Sequence, residues 1–163
     1  MLRRTCALLL LTLTSASCSR HESAPDPAAV ENDVRAFAHA VAHDVTEEGP
    51  LAWRKHFANS PAFFMAVDGK IAFPSGAAAM AAMPNVALAI PHIELQWGED
   101  LRVDVLSPLL AVVAAPYREI QVDAAGHRVE EKGFFVGVAE YRDGRWQFRD
   151  VHWSSSGPPV PVP

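Results

Sequence analysis

Residues 128–154 read RVEEKGFFVGVAEYRDGRWQFRDVHWS, and this stretch decides the architecture. Asp143-Gly144 lies between two runs rich in aromatic and β-branched residues. Asp-Gly accepts the positive φ that a two-residue hairpin turn demands, so 128–142 and 145–154 are predicted as antiparallel strands. Upstream, the polar loop Asp123–Gly126 closes a strand over 109–122, and Ser107-Pro108 ends another over 92–106. The same device recurs in FFMAV-DG-KIAF (63–73), where Asp68-Gly69 joins two short apolar runs into a hairpin.

The N-terminal half has a different period. Val34, Phe37, Ala38, Val41 and Val45 recur at helical spacing over 28–46 and form one apolar stripe, with Asp26 and Pro27 as cap and first-turn residue. Gly49-Pro50 breaks this helix. A short second helix over about 50–58 carries Leu51, Trp53 and Phe57, and an Ala/Met-rich third covers 75–89 and contains Pro84. Helices first and a meander after them predict an α+β domain: a cone-shaped, strongly curved antiparallel sheet with about three N-terminal helices over its concave face. Such a sheet leaves a cavity on its hollow side.

The ends of the 163-residue chain lie outside this domain, which spans 30–155. Residues 1–17 have the three parts of a cleavable export signal: Arg3 and Arg4, an apolar run from Cys6 to Leu13, and small residues Ser15 to Ser17. That run is far too short to cross a bilayer. Ser15-Ala16-Ser17-Cys18 is similar to the bacterial lipobox, with Ser15 where that motif carries a branched apolar residue. The resemblance implies lipidation of Cys18, attachment to a membrane, and a periplasmic location at the outer membrane of a Gram-negative cell; ordinary cleavage after Ser17 is the alternative. Residues 18–29 read as a flexible tether and 156–163, GPPVPVP after Ser156, as a proline-rich disordered tail. Loss of the leader removes two of the 14 Lys+Arg against 19 Asp+Glu, leaving a net charge of −7. An acidic chain without a cationic cluster excludes nucleic acid as a partner.

Four motifs carry a family resemblance: Trp53-Arg54-Lys55-His56-Phe57-Ala58 ahead of the first hairpin, Arg102-Val103-Asp104-Val105-Leu106, Asp143-Gly144-Arg145-Trp146-Gln147-Phe148, and the ending His152-Trp153-Ser154. In this order they resemble the SnoaL-like domains of the nuclear transport factor 2-like superfamily, over about residues 30–155. The resemblance implies a conical pocket and a homodimer, and the fold hosts many functions. Catalytic relatives such as the ketosteroid isomerases place an Asp base after the second helix. This chain has Phe63-Phe64-Met65-Ala66 there, which argues against isomerase chemistry of that kind.

Strand parity then nominates site residues. Trp146, Phe148, Asp150, His152 and Ser154 alternate on the last strand and are expected to face inward together, with Asp150 and His152 about 7 Å apart as an acid–base pair. Glu119 and Tyr117 share parity on the 109–122 strand, and Glu119 is a further acid–base candidate if that face lines the cavity; it could equally face solvent, since parity alone does not decide. Trp53, Phe64, Trp97 and Phe135 are expected on the pocket wall, where large aromatics serve a core equally well. His39 and His43 have a ligand-like i, i+4 spacing but lie opposite the apolar stripe, so no metal is expected. No glycine-rich phosphate loop or nucleophile elbow points to a cofactor. Three readings follow: an exported domain binding a small apolar molecule, a cyclase- or isomerase-type enzyme using Asp150, His152 or Glu119, and a dimeric scaffold without catalysis.

Overall fold

The computed structural model describes residues 26–163; the export signal expected over 1–17 and Cys18 lie outside the described residues. Helix α1 spans Pro27–Glu48, so its first turn takes in the last residues expected to belong to the tether. The Asp26 carboxylate accepts from Ala28 N–H and caps it. Its buried stripe is Val30, Val34, Ala38, Val41 and Val45. Phe37, expected in that stripe, is partly buried one position to the side, where its ring meets Phe148 at 4.9 Å. A 3-10 turn, Gly49–Ala52, leads into the one-turn helix α2, Trp53–His56. Helix α3, Gly76–Ala89, starts on the Ser75 hydroxyl, which accepts from Ala78 N–H, and it accommodates Pro84.

The strands are β1 (Phe64–Val67), β2 (Lys70–Phe73), β3 (His92–Trp97), β4 (Arg102–Ser107), β5 (Leu110–Val122), β6 (Arg128–Arg142), β7 (Arg145–Ser155) and β8 (Val160–Pro161). Both Asp-Gly turns form as predicted: Asp68, Gly69, Asp143 and Gly144 all have positive φ. The sheet order is β2-β1-β7-β6-β5-β3, with β4 beside β5 and β8 beside β6. Three features depart from the sequence-based expectation. The sheet is mixed, because β1 pairs in parallel with β7. The stretch 92–106 is two strands along one partner, β3 on Tyr117–Val122 and β4 on Leu110–Ala114. The break falls opposite Pro116, whose ring nitrogen cannot donate to a ladder and whose carbonyl accepts from Gly98 N–H instead. Finally, the proline-rich tail is ordered: Val160 and Pro161 pair with Glu130 and Val129, and Val162 N–H donates to the Arg128 carbonyl. Valines alternate with prolines there, so a donor survives at every second residue, which is enough for a short edge strand.

Helix α1 packs across β3, β4 and β5, while α3 closes against β2 and α2. Between helices and sheet lies an aromatic core. Phe135 and Phe148 are fully buried with ring centroids 5.1 Å apart, and Trp153 sits 4.6 Å from Phe135. Burying each such ring stabilises the fold by about 2–3 kcal/mol.

Candidate functional site

A cavity of about 270 Å³ opens between the concave sheet face, α2 and α3. Its apolar walls come from Trp53 and Phe57 of the α2 region, Met65 and Val67 of β1, Met83 and Val86 of α3, and Ile93 of β3. Its polar groups all come from the sheet: Tyr117, Glu119 and Gln121 on β5, and Glu131 on β6.

Strand parity explains why these groups converge. Tyr117, Glu119 and Gln121 alternate along β5 and share its inner face, and Glu119 is directly opposite Glu131 in the β5–β6 ladder. Directly opposed side chains stand about 5 Å apart, so two carboxyl groups are held side by side against an apolar chamber. Burial pushes the Glu119 carboxyl up to about 7, with repulsion from Glu131 adding to the rise and the Gln121 amide, donating at 2.7 Å, opposing it. Glu131 accepts from the Tyr117 hydroxyl at 2.5 Å and lies 3.1 Å from the Ser155 hydroxyl. Burial and the neighbouring Glu131 carboxylate raise the Tyr117 phenol, which keeps it protonated as a donor. Ser155 also donates its N–H to Asp68 at 2.7 Å, and its hydroxyl is 2.9 Å from the same carboxylate. These bonds hold Asp68 below the ordinary carboxylate range. Gly133, opposite Tyr117, leaves room for the phenol. A Cβ there would lie 1.9 Å from the Ser154 carbonyl oxygen and 2.8 Å from the Tyr117 ring.

The structure divides the predicted residues into three groups. Glu119, Tyr117 and Trp53 line the cavity. Trp97, Phe135 and Phe148 are core residues beneath it; the Trp97 indole N–H donates to the Ala38 carbonyl at 2.7 Å. Asp150, His152, Phe64 and Trp146 are elsewhere. The expected alternation on the last strand fails because Val138 pairs with Asp150 whereas Ala139 pairs with Phe148, leaving Arg149 as an extra residue in β7. This β-bulge reverses the parity: Phe148 points into the core, and beyond Arg149 it is Val151 and Trp153 that point inward. His152 is therefore exposed on the outer face, across from Val136, and Asp150 is partly buried there beside Val138. Burial raises the Asp150 carboxyl, opposed by Arg149. The inward Asp150–His152 pair is corrected accordingly. Phe64, opposite Asp150 on β1, is 42% exposed on that outer face and is no pocket wall. Trp146 packs edge-on against Tyr141 in a separate surface groove with Phe37, Lys55 and His56.

Sequence reasoning missed Glu131, Gln121 and Trp153. Pairing 109–122 with 128–142 about the Asp123–Gly126 loop would have set Glu119 against Glu131, so that signal was present. Trp153 was hidden by the bulge. It also missed a buried histidine: His56, its ring tilted against Phe37 at 5.9 Å, bonds Asp44 at 3.1 Å. Burial lowers the His56 imidazole, against the pull of Asp44. His39 and His43 are exposed, and among the described residues no group of three or more His, Cys, Asp or Glu could hold a metal.

No protein-family model matches the sequence. No curated protein sequence matches it significantly either. Solved structures do match in shape. A nuclear transport factor 2-like superfamily protein from Salmonella enterica aligns at TM-score 0.70 and 12% identity, covering 82% of this chain and 95% of that one. A hexachlorocyclohexane dehydrochlorinase from Novosphingobium barchaimii aligns at 0.64 and 12%, covering 83% and 91%. A nuclear transport factor 2-like protein from Shewanella oneidensis aligns at 0.58 and 17%, covering 76% and 97%. Together with the mixed cone-shaped sheet and the helices over its hollow side, these likenesses establish that the chain has the nuclear transport factor 2-like fold.

Proposed function

We propose that the protein binds a small, largely apolar molecule in the chamber between α2, α3 and the sheet. The observation that carries this reading is the cavity itself: about 270 Å³, walled by aromatic and aliphatic side chains, with a few convergent polar groups on one side. That is the composition of a small-molecule site, where apolar area supplies affinity and a few polar groups fix orientation. The test is native mass spectrometry and crystallography of the purified protein, followed by titration of small aromatic alcohols against the wild type and a Val86→Trp variant that fills the chamber from α3. Saturable binding by the wild type that the filled variant loses supports the reading, and equal binding by both refutes it.

One observation favours a catalytic form of this function. Glu119, with its carboxyl at about 7 in an apolar chamber, has the protonation behaviour of a general acid or base at neutral pH. In that form Glu119 takes the part that sequence parity gave to Asp150 and His152. Turnover abolished by Glu119→Gln but untouched by His152→Ala identifies it.

Two further proposals concern where and in what state the domain works. The 1–17 leader and Cys18 support export and lipid tethering to the outer membrane, tested by intact mass of the mature protein from the host membrane. The outer sheet face carries Phe64 on β1 and Phe134 and Val136 on β6, the two strands that flank β7, each between 37% and 43% exposed. These exposed apolar side chains, on either side of the outward Asp150 and His152 of β7, support a homodimer through that face. A monomeric mass by light scattering at high micromolar concentration rules it out.

A further inference from the structure

We infer that the ligand of the chamber carries a protonated amine, seated between Glu119 and Glu131, on an otherwise apolar body. This rests on the proposal that the chamber binds a small apolar molecule, and it names the class of that molecule.

The first ground is how the two faces of the β5–β6 ladder sort their charges. On the outer face, Arg118 bonds Glu130 at 2.6 Å, Lys132 reaches the same carboxylate at 2.6 Å, and Arg128 reaches Glu94 at 3.1 Å, so acids and bases neutralise one another. One residue along each strand, on the inner face, stand Glu119 and Glu131. No Lys, Arg or His lines the chamber among the described residues. Two opposed carboxyl groups in an apolar space without a counter-ion attract a cation.

The second ground is the supply of hydrogen-bond acceptors. Glu131 already receives the Tyr117 hydroxyl, and one Glu119 oxygen receives the Gln121 amide. No donor among the described residues reaches the other Glu119 oxygen. An ammonium brings three N–H donors and a charge to that vacant acceptor.

The third ground is the aromatic wall. Trp53, Tyr117 and Trp153 line the chamber, with Tyr117 and Trp153 edge-to-face at 4.8 Å. Electron-rich ring faces favour a cation over a neutral group of equal size and disfavour an anion.

The test uses three probes of matched shape, 2-phenylethylamine, 2-phenylethanol and phenylacetate, titrated by calorimetry into the purified protein at pH 8. Expected is amine binding about tenfold tighter than alcohol binding, because charge-assisted hydrogen bonds are about twice as strong as neutral ones, with phenylacetate weakest. Glu119→Gln and Glu131→Gln, each retaining an acceptor oxygen for its present partner, should each lower amine affinity while leaving alcohol affinity within about twofold. Amine and alcohol binding equally well to the wild type overturns the amine inference and leaves the apolar-ligand proposal standing. An amine preference that survives in both Gln variants also overturns it, since the cation would then sit elsewhere. Absence of saturable binding by both amine and alcohol refutes the apolar-ligand proposal itself.

Discussion

Glu119→Gln should stabilise the protein at alkaline pH, by an amount that follows from the cavity. The carboxyl is buried beside Glu131, which raises it from 4.5 to about 7 in the folded protein. The unfolded chain releases that proton near 4.5, so between those values the folded state holds more protons than the unfolded state. The stability contributed by Glu119 is therefore fully present below pH 4.5 and is lost as pH rises through 7. The interval of about two and a half pH units corresponds to about 3 kcal/mol, at 1.36 kcal/mol per unit. Glutamine cannot ionise, keeps an oxygen to accept from Gln121, and removes the repulsion with Glu131. The variant should thus gain about 3 kcal/mol on the wild type between pH 4 and pH 8, a rise in Tm difference of about 10 °C for a domain of this size. Urea unfolding at pH 4, 5, 6, 7 and 8 measures the difference directly. Using the difference between the two proteins cancels other titrations, His56 among them. A difference that stays flat across this range would refute the claim that Glu119 ionises inside an apolar chamber.

Four shorter predictions follow from the same geometry. Gly133→Ala forces a Cβ onto the Ser154 carbonyl and the Tyr117 ring, and should cost about 1–3 kcal/mol in urea unfolding together with loss of the Tyr117–Glu131 bond. Phe135→Ala empties the centre of the aromatic core and should cost about 3–5 kcal/mol by the same measurement. His152→Ala, on the outer sheet face, should change 2-phenylethanol affinity by less than about twofold and stability by less than about 0.5 kcal/mol. A calorimetric titration that lost binding would put the imidazole back in the site. His56 has an imidazole lowered from 6.5 by burial, so the stability it contributes is present above 6.5 and is lost as pH falls through its folded value. Below pH 6, therefore, His56→Gln should narrow or reverse any stability deficit seen at pH 8, read from urea midpoints at the two pH values.

The features legible in the sequence are those set by neighbours along the chain. Asp68-Gly69 and Asp143-Gly144 determined two turns because only a few dipeptides tolerate two successive positive φ angles. The Val34–Val45 stripe determined α1 and its buried face because a helix brings every third and fourth residue together. That Glu119 and Tyr117 share one face was legible because β5 runs without a bulge through them, but which face turned inward was not. The tertiary structure decided what depends on pairing across long separations. Arg149 is an extra residue only relative to β6, and it turned His152 and Asp150 outward and Trp153 inward. The parallel seat of β1 beside β7 brought Met65 and Val67 to a chamber whose other wall comes from α3. Pairing about the Asp123–Gly126 loop already opposes Glu119 to Glu131, but only the fold set an apolar chamber over that pair, and it is burial there that raises the Glu119 carboxyl.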